Sequence, residues 1–361
     1  MGPFSRALSR RYMINLLELY TLEEGDGAIH VNGINKGGSA KTTTTVNEAT
    51  MLTLLGARVL VIDSGPEAHT TYSLGYIPRE IKHSLFDLLA GRCSLRDAIV
   101  PTYYHPELRS FFNPTYPVNP GDPASKTVLQ QYVDQGVQVI RGPDLIPVRF
   151  DLESDEVLRG RQMREFLLAF ALHPLRKVYQ YMILDTNPDL SNLLTINAIY
   201  AADWVCIPFV PDSLNAMGFE NILEAIISTQ KKVNKKLQIA GVLMSRVRDL
   251  KAHRDILDPF RAILDENHIH YFQTQIKDDP NKFMSASNRR SVVVLDNPLS
   301  DPALDFWSFL AEYLAIVGGP AKDAIGSTLQ GLRTQRELIA KEKERQKLER
   351  IAKRQGTSGA E

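Results

Sequence analysis

Residues Asn35 to Thr43 read Asn-Lys-Gly-Gly-Ser-Ala-Lys-Thr-Thr, which places two lysines and three hydroxyls among small, flexible residues. Such a segment lets successive backbone N–H groups converge on an anion, and a helix N-terminus directly behind it adds further donors. In that arrangement the Lys41 ammonium neutralises the outer phosphates of a nucleotide, and the Thr42 hydroxyl ligates Mg²⁺. Gly37, Gly38, Ser39, Ala40 and Thr43 supply the rest of the cradle.

This chemistry requires a strand before the loop and a helix after it. Ala28-Ile29-His30-Val31-Asn32-Gly33 is a short strand-like run, and a helix is expected from about Thr42 to Leu55. The alternation continues with apolar runs at 58–63, 137–140, 181–185, 204–208 and 239–244, separated by amphipathic stretches such as 218–231. Short apolar runs alternating with helical stretches predict an α/β fold, a mostly parallel sheet with helices on both faces. Residues 1–25 suit one amphipathic helix or arm, and the core domain is expected over 26–319. Within it, the proline- and aromatic-rich stretch 101–127 reads as a long surface insertion. After Gly318-Gly319-Pro320 the composition turns to Lys, Arg, Glu and Gln, so 320–361 reads as a charged helical tail.

The loop departs from the ordinary G-x-x-x-x-G-K-[ST] pattern, with Asn35 and Ala40 at the two glycine positions. It resembles the deviant K-G-G-x-[GA]-K-T-T loop of the ParA/MinD family of P-loop ATPases. The resemblance extends over roughly residues 28–315. Ile62-Asp63-Ser64-Gly65-Pro66-Glu67 resembles that family's I-D-x-D-P-Q segment, and Leu145-Ile146-Pro147 its L-I-P strand end. The run from Tyr181 to Asp185 with Thr186-Asn187-Pro188 is similar to its Walker B strand, with Leu193 to Ala198 in the usual place. The resemblance implies ATP and Mg²⁺ as ligands, with Lys36 reaching across a dimer interface to the partner's nucleotide. It also implies Asp185 as an outer-sphere Mg²⁺ and water ligand, and it makes Asp63 a candidate for the Mg²⁺ shell. The family's second aspartate, associated with the attacking water, is replaced here by Gly65, so slow hydrolysis is expected.

The resemblance further implies a switch: a homodimer in the ATP state, non-specific DNA or membrane as the bound surface, and a partner protein that triggers release. The tail centre, Lys341 to Lys347, lacks the apolar face of a membrane-binding helix, so membrane is the poorer expectation. Cys93 and Cys206 fit neither a cluster-ligating pair nor a disulfide scaffold. With 42 basic and 42 acidic residues, any anion-binding surface must be local. Candidate DNA contacts are Arg246, Arg248, Lys251, His253 and Arg254, with Arg289 and Arg290; the tail from Arg333 to Arg354 adds a net +5. The expectation is a cytoplasmic, nucleoid-associated partition ATPase with a ParB-like partner. The alternative is a nucleotide-dependent dimeric scaffold with little turnover.

Overall fold

The computed structural model describes residues 26–33, 38, 40–119, 125–150, 158 and 160–357. The expected N-terminal helix in 1–25, and Lys36, Gly37 and Ser39, lie outside them. Eight strands form one sheet: β1 (Ala28–Asn32), β2 (Val59–Asp63), β3 (Val100–His105), β4 (Ser110–Phe112), β5 (Ile140–Ile146), β6 (Tyr181–Asp185), β7 (Trp204–Phe209) and β8 (Gln238–Met244). Their order is β4-β3-β5-β2-β6-β1-β7-β8. The strands from β5 to β8 in that order run parallel, and β3 and β4 extend the edge antiparallel.

The principal helices are α1 (Lys41–Leu54), α2 (Leu193–Ala201), α3 (Ser213–Lys232), α4 (Lys251–Glu266), α5 (Asp301–Val317) and α6 (Lys322–Thr357). Because side chains alternate across a strand, each central strand feeds both faces of the sheet. Leu60, Ile62, Met182 and Leu184 pack on one face with Leu194 of α2, Phe219 of α3 and Phe260 of α4. Val59, Val61, Tyr181 and Ile183 pack on the other with Met51 of α1 and Phe306, Phe309 and Tyr313 of α5. The expected doubly covered parallel sheet is therefore the observed one. No helix among the described residues is long and apolar enough to cross a membrane.

Three expectations shift. The strand placed at 137–140 is β5, over Ile140–Ile146, where Arg141, Gly142, Pro143 and Asp144 interrupt the apolar pattern. Those residues are used: a Cβ at Gly142 would stand 2.3 Å from Thr102 Oγ1, and the Pro143 carbonyl accepts from that same hydroxyl. The stretch 101–127 is not simply a surface insertion, since it supplies β3 and β4 and buries Tyr104 and Phe111. The core also passes residue 319. Gly318 and Gly319, with φ of 75° and 100°, form the turn between α5 and α6, and Ala321, Ile325 and Leu329 of the following segment are buried.

One buried ion pair anchors the strand that leads into the loop. Arg176 donates to both Asp203 carboxylate oxygens, at 2.6 and 3.1 Å, and the Ile29 N–H donates to Asp203 Oδ2 at 2.7 Å. Removing one partner of such a pair strands the other charge in a water-poor site. Asp203→Ala is expected to lower stability by about 3–5 kcal/mol in urea unfolding. A loss below about 1 kcal/mol would show that the pair does not hold β1.

Candidate functional site

The strand register brings the candidate residues together. Asp63 at the end of β2 and Asn32 at the end of β1 both stand opposite Asp185 at the end of β6. The chain leaves β1 through Gly33, where a Cβ would stand 2.0 Å from Thr186 Oγ1 and force that side chain to shift. It re-enters regular structure at α1 through Gly38 (φ 83°) and Ala40 (φ 66°). Ala40 holds a left-handed conformation that disfavours a side chain, the kind of local strain that collects at functional sites. No side chain among the described residues caps the start of α1. The start of α1 is the positive end of the helix dipole, which favours a bound anion.

Lys41 is the first residue of α1 and is buried. Burial lowers its pKa, while Asp185 and Glu67 act to raise it. Asp63 and Asp185 are both buried. Desolvation, and then the neighbouring Asp185 charge, push Asp63 up to about 7, although it accepts from the Thr71 N–H, the Thr71 hydroxyl and the Gly65 N–H. Desolvation raises Asp185 as well. Its Oδ2 accepts from Thr42 at 2.6 Å and from Thr70 at 2.8 Å, while Oδ1 has no hydrogen-bond partner among the described residues. Two buried carboxylates, one with an orphaned oxygen, and a hydroxyl bonded to it form a hard-oxygen donor set. That set suits Mg²⁺, which keeps part of its shell as water and substrate phosphate.

Gly38, Ala40, Lys41, Thr42, Thr43, Asp63, Gly65, Glu67 and Asp185 line one cleft of about 690 Å³, a volume suited to a nucleotide. A Cβ at Gly65 would lie 3.5 Å from Asp63 Oδ1 and 3.6 Å from Glu67 Oε2, so a side chain fits there. Sequence reasoning missed Thr70 and Thr71, which satisfy the two carboxylates; the available signal was a hydroxyl pair seven and eight residues beyond Asp63. It also missed the far wall of the cleft, made by Ser245, Pro280, Phe283 and Met284.

The basic candidates fall into two groups. Arg246 lines the nucleotide cleft, with its Nε 3.5 Å from Asp278 Oδ1, and Arg248 binds the same carboxylate at 2.5 Å. Arg254 pairs with Asp249, and Lys251 opens α4 on the surface. His253 accepts from the Arg248 N–H through Nδ1. Arg289 belongs to the second group, bound at 2.9 Å to Asp296, which is buried; Arg290 lies over the Tyr72 ring, and its carbonyl accepts from Phe111 of β4. These arginines therefore serve the fold locally, whatever else they bind.

A family model described as an AAA domain matches residues 29–110 and 124–239. An uncharacterised protein of Pseudomonas putida is 32% identical over 209 residues, 58% of this chain and 65% of that protein, so the match spans just under two thirds of its length. The chromosome partitioning protein ParA of Caulobacter vibrioides is 29% identical over 213 residues, 58% of this chain and 66% of that one. The fold is shared with the septum site-determining protein MinD of Pyrococcus horikoshii, solved with Mg-ADP, at a TM-score of 0.59 and 19% identity, covering 81% of this chain and 98% of that one. With β1 and α1 in place and the Asp63 and Asp185 carboxylates aligned behind them, the chain belongs to the ParA/MinD family of P-loop ATPases.

Proposed function

We propose that this chain is a ParA-like partition or positioning ATPase that binds ATP with Mg²⁺, dimerises in that state, and then holds non-specific DNA until a ParB-like partner releases it. The observation that carries the nucleotide reading is the buried Asp63 and Asp185 pair at the ends of adjacent strands, with Thr42 of α1 bonded to Asp185. The α1 N–H groups and Lys41 take the phosphates. Thr42, Asp63 and Asp185 hold the Mg²⁺ site, where the ion offsets phosphate charge. The wall formed by Pro280, Phe283 and Met284 offers an apolar surface for the base. Lys36 contributes from the second copy, so that association completes the charge neutralisation of the bound nucleotide.

Gly65 favours a second reading, a nucleotide-dependent scaffold with little turnover. Asp63 is engaged by three donors, and Glu67 borders the cleft near position 65. Without a carboxylate at 65, orientation of the attacking water is weak while binding is intact.

Lys41→Ala should abolish ATP binding in calorimetry, because amides alone do not balance a triphosphate. Lys36→Ala should retain ATP affinity but lose the ATP-induced dimer in sedimentation. Unchanged affinity in the first variant contradicts the nucleotide reading, and a persistent dimer in the second gives Lys36 a local role only. Gly65→Asp should raise steady-state ATP hydrolysis by about 10² or more with little change in affinity. Equal rates in the two proteins would assign the water to another group. Binding to arbitrary duplex DNA should require ATP and weaken steeply between low and physiological salt. The combination Lys251→Ala with Arg254→Ala should weaken it alike for every DNA sequence. DNA binding that is absent with ATP present favours the scaffold.

A further inference from the structure

Helix α6 begins inside the body and ends well outside it. Its start lies beside the N-terminal end of β6, where the Ala321 N–H donates to the Tyr181 hydroxyl. Ile325 and Leu329 then pack in the core with α5, and Leu332 packs against it. Arg333 donates to Ser308 Oγ at 3.1 Å, and Arg336 pairs at 2.5 Å with Asp301, the first residue of α5. Asp301 also binds Lys277, which bridges to Val247 just beyond the C-terminal end of β8. That is the end of the parallel sheet at which Asp63 and Asp185 stand. Beyond Arg336 the helix continues for 337–357, about 31 Å at 1.5 Å per residue, and 337–348 are exposed. The overhang therefore runs past the nucleotide-site end of the sheet.

The face of α6 that seats on the body changes character where the body stops. At about 100° per residue, positions 325, 329, 332, 333, 336, 343, 347, 350 and 354 share an arc of about 100°. The first three are apolar, the last six are Arg or Lys, and the arc also holds Ala340 and Ile351 but no acidic residue. Glu337, Glu342, Glu344 and Glu349 fall outside that arc. The basic residues off the arc, Lys341, Arg345 and Lys353, each follow a glutamate by three or four positions, the spacing of intrahelical pairs. The Arg345 to Glu342 pair is formed, at 2.9 Å. On the arc, Lys347 follows Glu344 by three and Arg333 precedes Glu337 by four, whereas Lys343, Arg350 and Arg354 have no acidic residue at that spacing. The arc is thus a basic stripe with every glutamate of α6 kept off it. Nine basic and four acidic residues between 333 and 354 leave the rest of the chain with 33 basic against 38 acidic, a net of −5.

We infer that the overhang of α6 is a strap for a second copy of this chain: in the ATP-state dimer, its basic stripe lies along the acidic body of the partner. The inference rests on the nucleotide-dependent dimer proposed above. Two bodies that meet through their nucleotide-site ends place each overhang beside the other body, and the opposite net charges of strap and body make that contact attractive and selective. The strap then adds to a dimer held at its centre by nucleotide and Lys36.

Sedimentation with ATP and Mg²⁺ tests this on the full chain carrying Lys343→Glu, Lys347→Glu, Arg350→Glu and Arg354→Glu together, which keeps helix propensity high. The expected result is a dimer dissociation constant about tenfold or more higher, with unchanged ATP affinity and a loss of most of the salt dependence seen in the unaltered chain. The same four positions changed to Gln should fall between the two. A constant within about twofold of the unaltered chain overturns the strap and leaves the dimer standing; if duplex DNA binding is lost in that same variant, the stripe serves nucleic acid instead. An unaltered chain that does not dimerise with ATP overturns both.

Discussion

Two negative charges in one dry place constrain this molecule most. Asp63 and Asp185 end adjacent parallel strands in matched register, so the sheet itself forces their carboxylates together. Burial disfavours both ionised forms, and the Asp185 charge raises Asp63 further. The surroundings answer with neutral donors, Thr42, Thr70, Thr71 and the Gly65 N–H, and with the partly desolvated Lys41. These stabilise the pair without cancelling its charge. The site is thus built around a cation and a polyanion that fold stability alone does not require, and the two apolar cores on either side of the sheet offset its cost.

Behind the loop runs a second polar seam that ties the layers to one another. The Asn32 amide donates to Glu48 of α1 at 2.5 Å, and His30 Nδ1 lies 2.7 Å from the Tyr313 hydroxyl of α5. All four residues are buried. These pairs tie β1 to α1 and α5, although His30 Nε2, Asn32 Oδ1 and Glu48 Oε1 have no hydrogen-bond partner among the described residues. The loop between β1 and α1 is therefore held at both ends by geometry that admits little slippage. Glycine at position 33 and left-handed backbone at position 40 are the consequences at its two shoulders.

The central strands were legible because their signals are local. A run such as Val59 to Asp63, buried at every position, has few alternatives to a central parallel strand. β5 was misplaced because Arg141, Gly142 and Asp144 carry contacts to β3 and Tyr179 rather than apolar burial. The aromatic stretch after Pro101 gave no alternation strong enough to announce β3 and β4, since proline and tyrosine occupy positions that only the neighbouring strand explains. Thr70 and Thr71 were missed for a related reason: the only sequence signal was their spacing from Asp63, and a threonine that bonds a carboxylate from another element looks like any other threonine. The tail read correctly as charged, but where α6 leaves the body depends on Asp301, at a distance no local pattern encodes.

The account stands or falls on whether the carboxylate pair is the cation site. With Asp63 raised to about 7, roughly half of the Asp63 carboxyls carry a proton at neutral pH. A cation at the pair favours the ionised form and must expel that proton. Calorimetry of ATP·Mg²⁺ binding at pH 7 in buffers of different ionisation enthalpy counts the protons directly. The account predicts a release that is larger for the unaltered chain than for Asp63→Asn. Equal proton counts for the two proteins would contradict it.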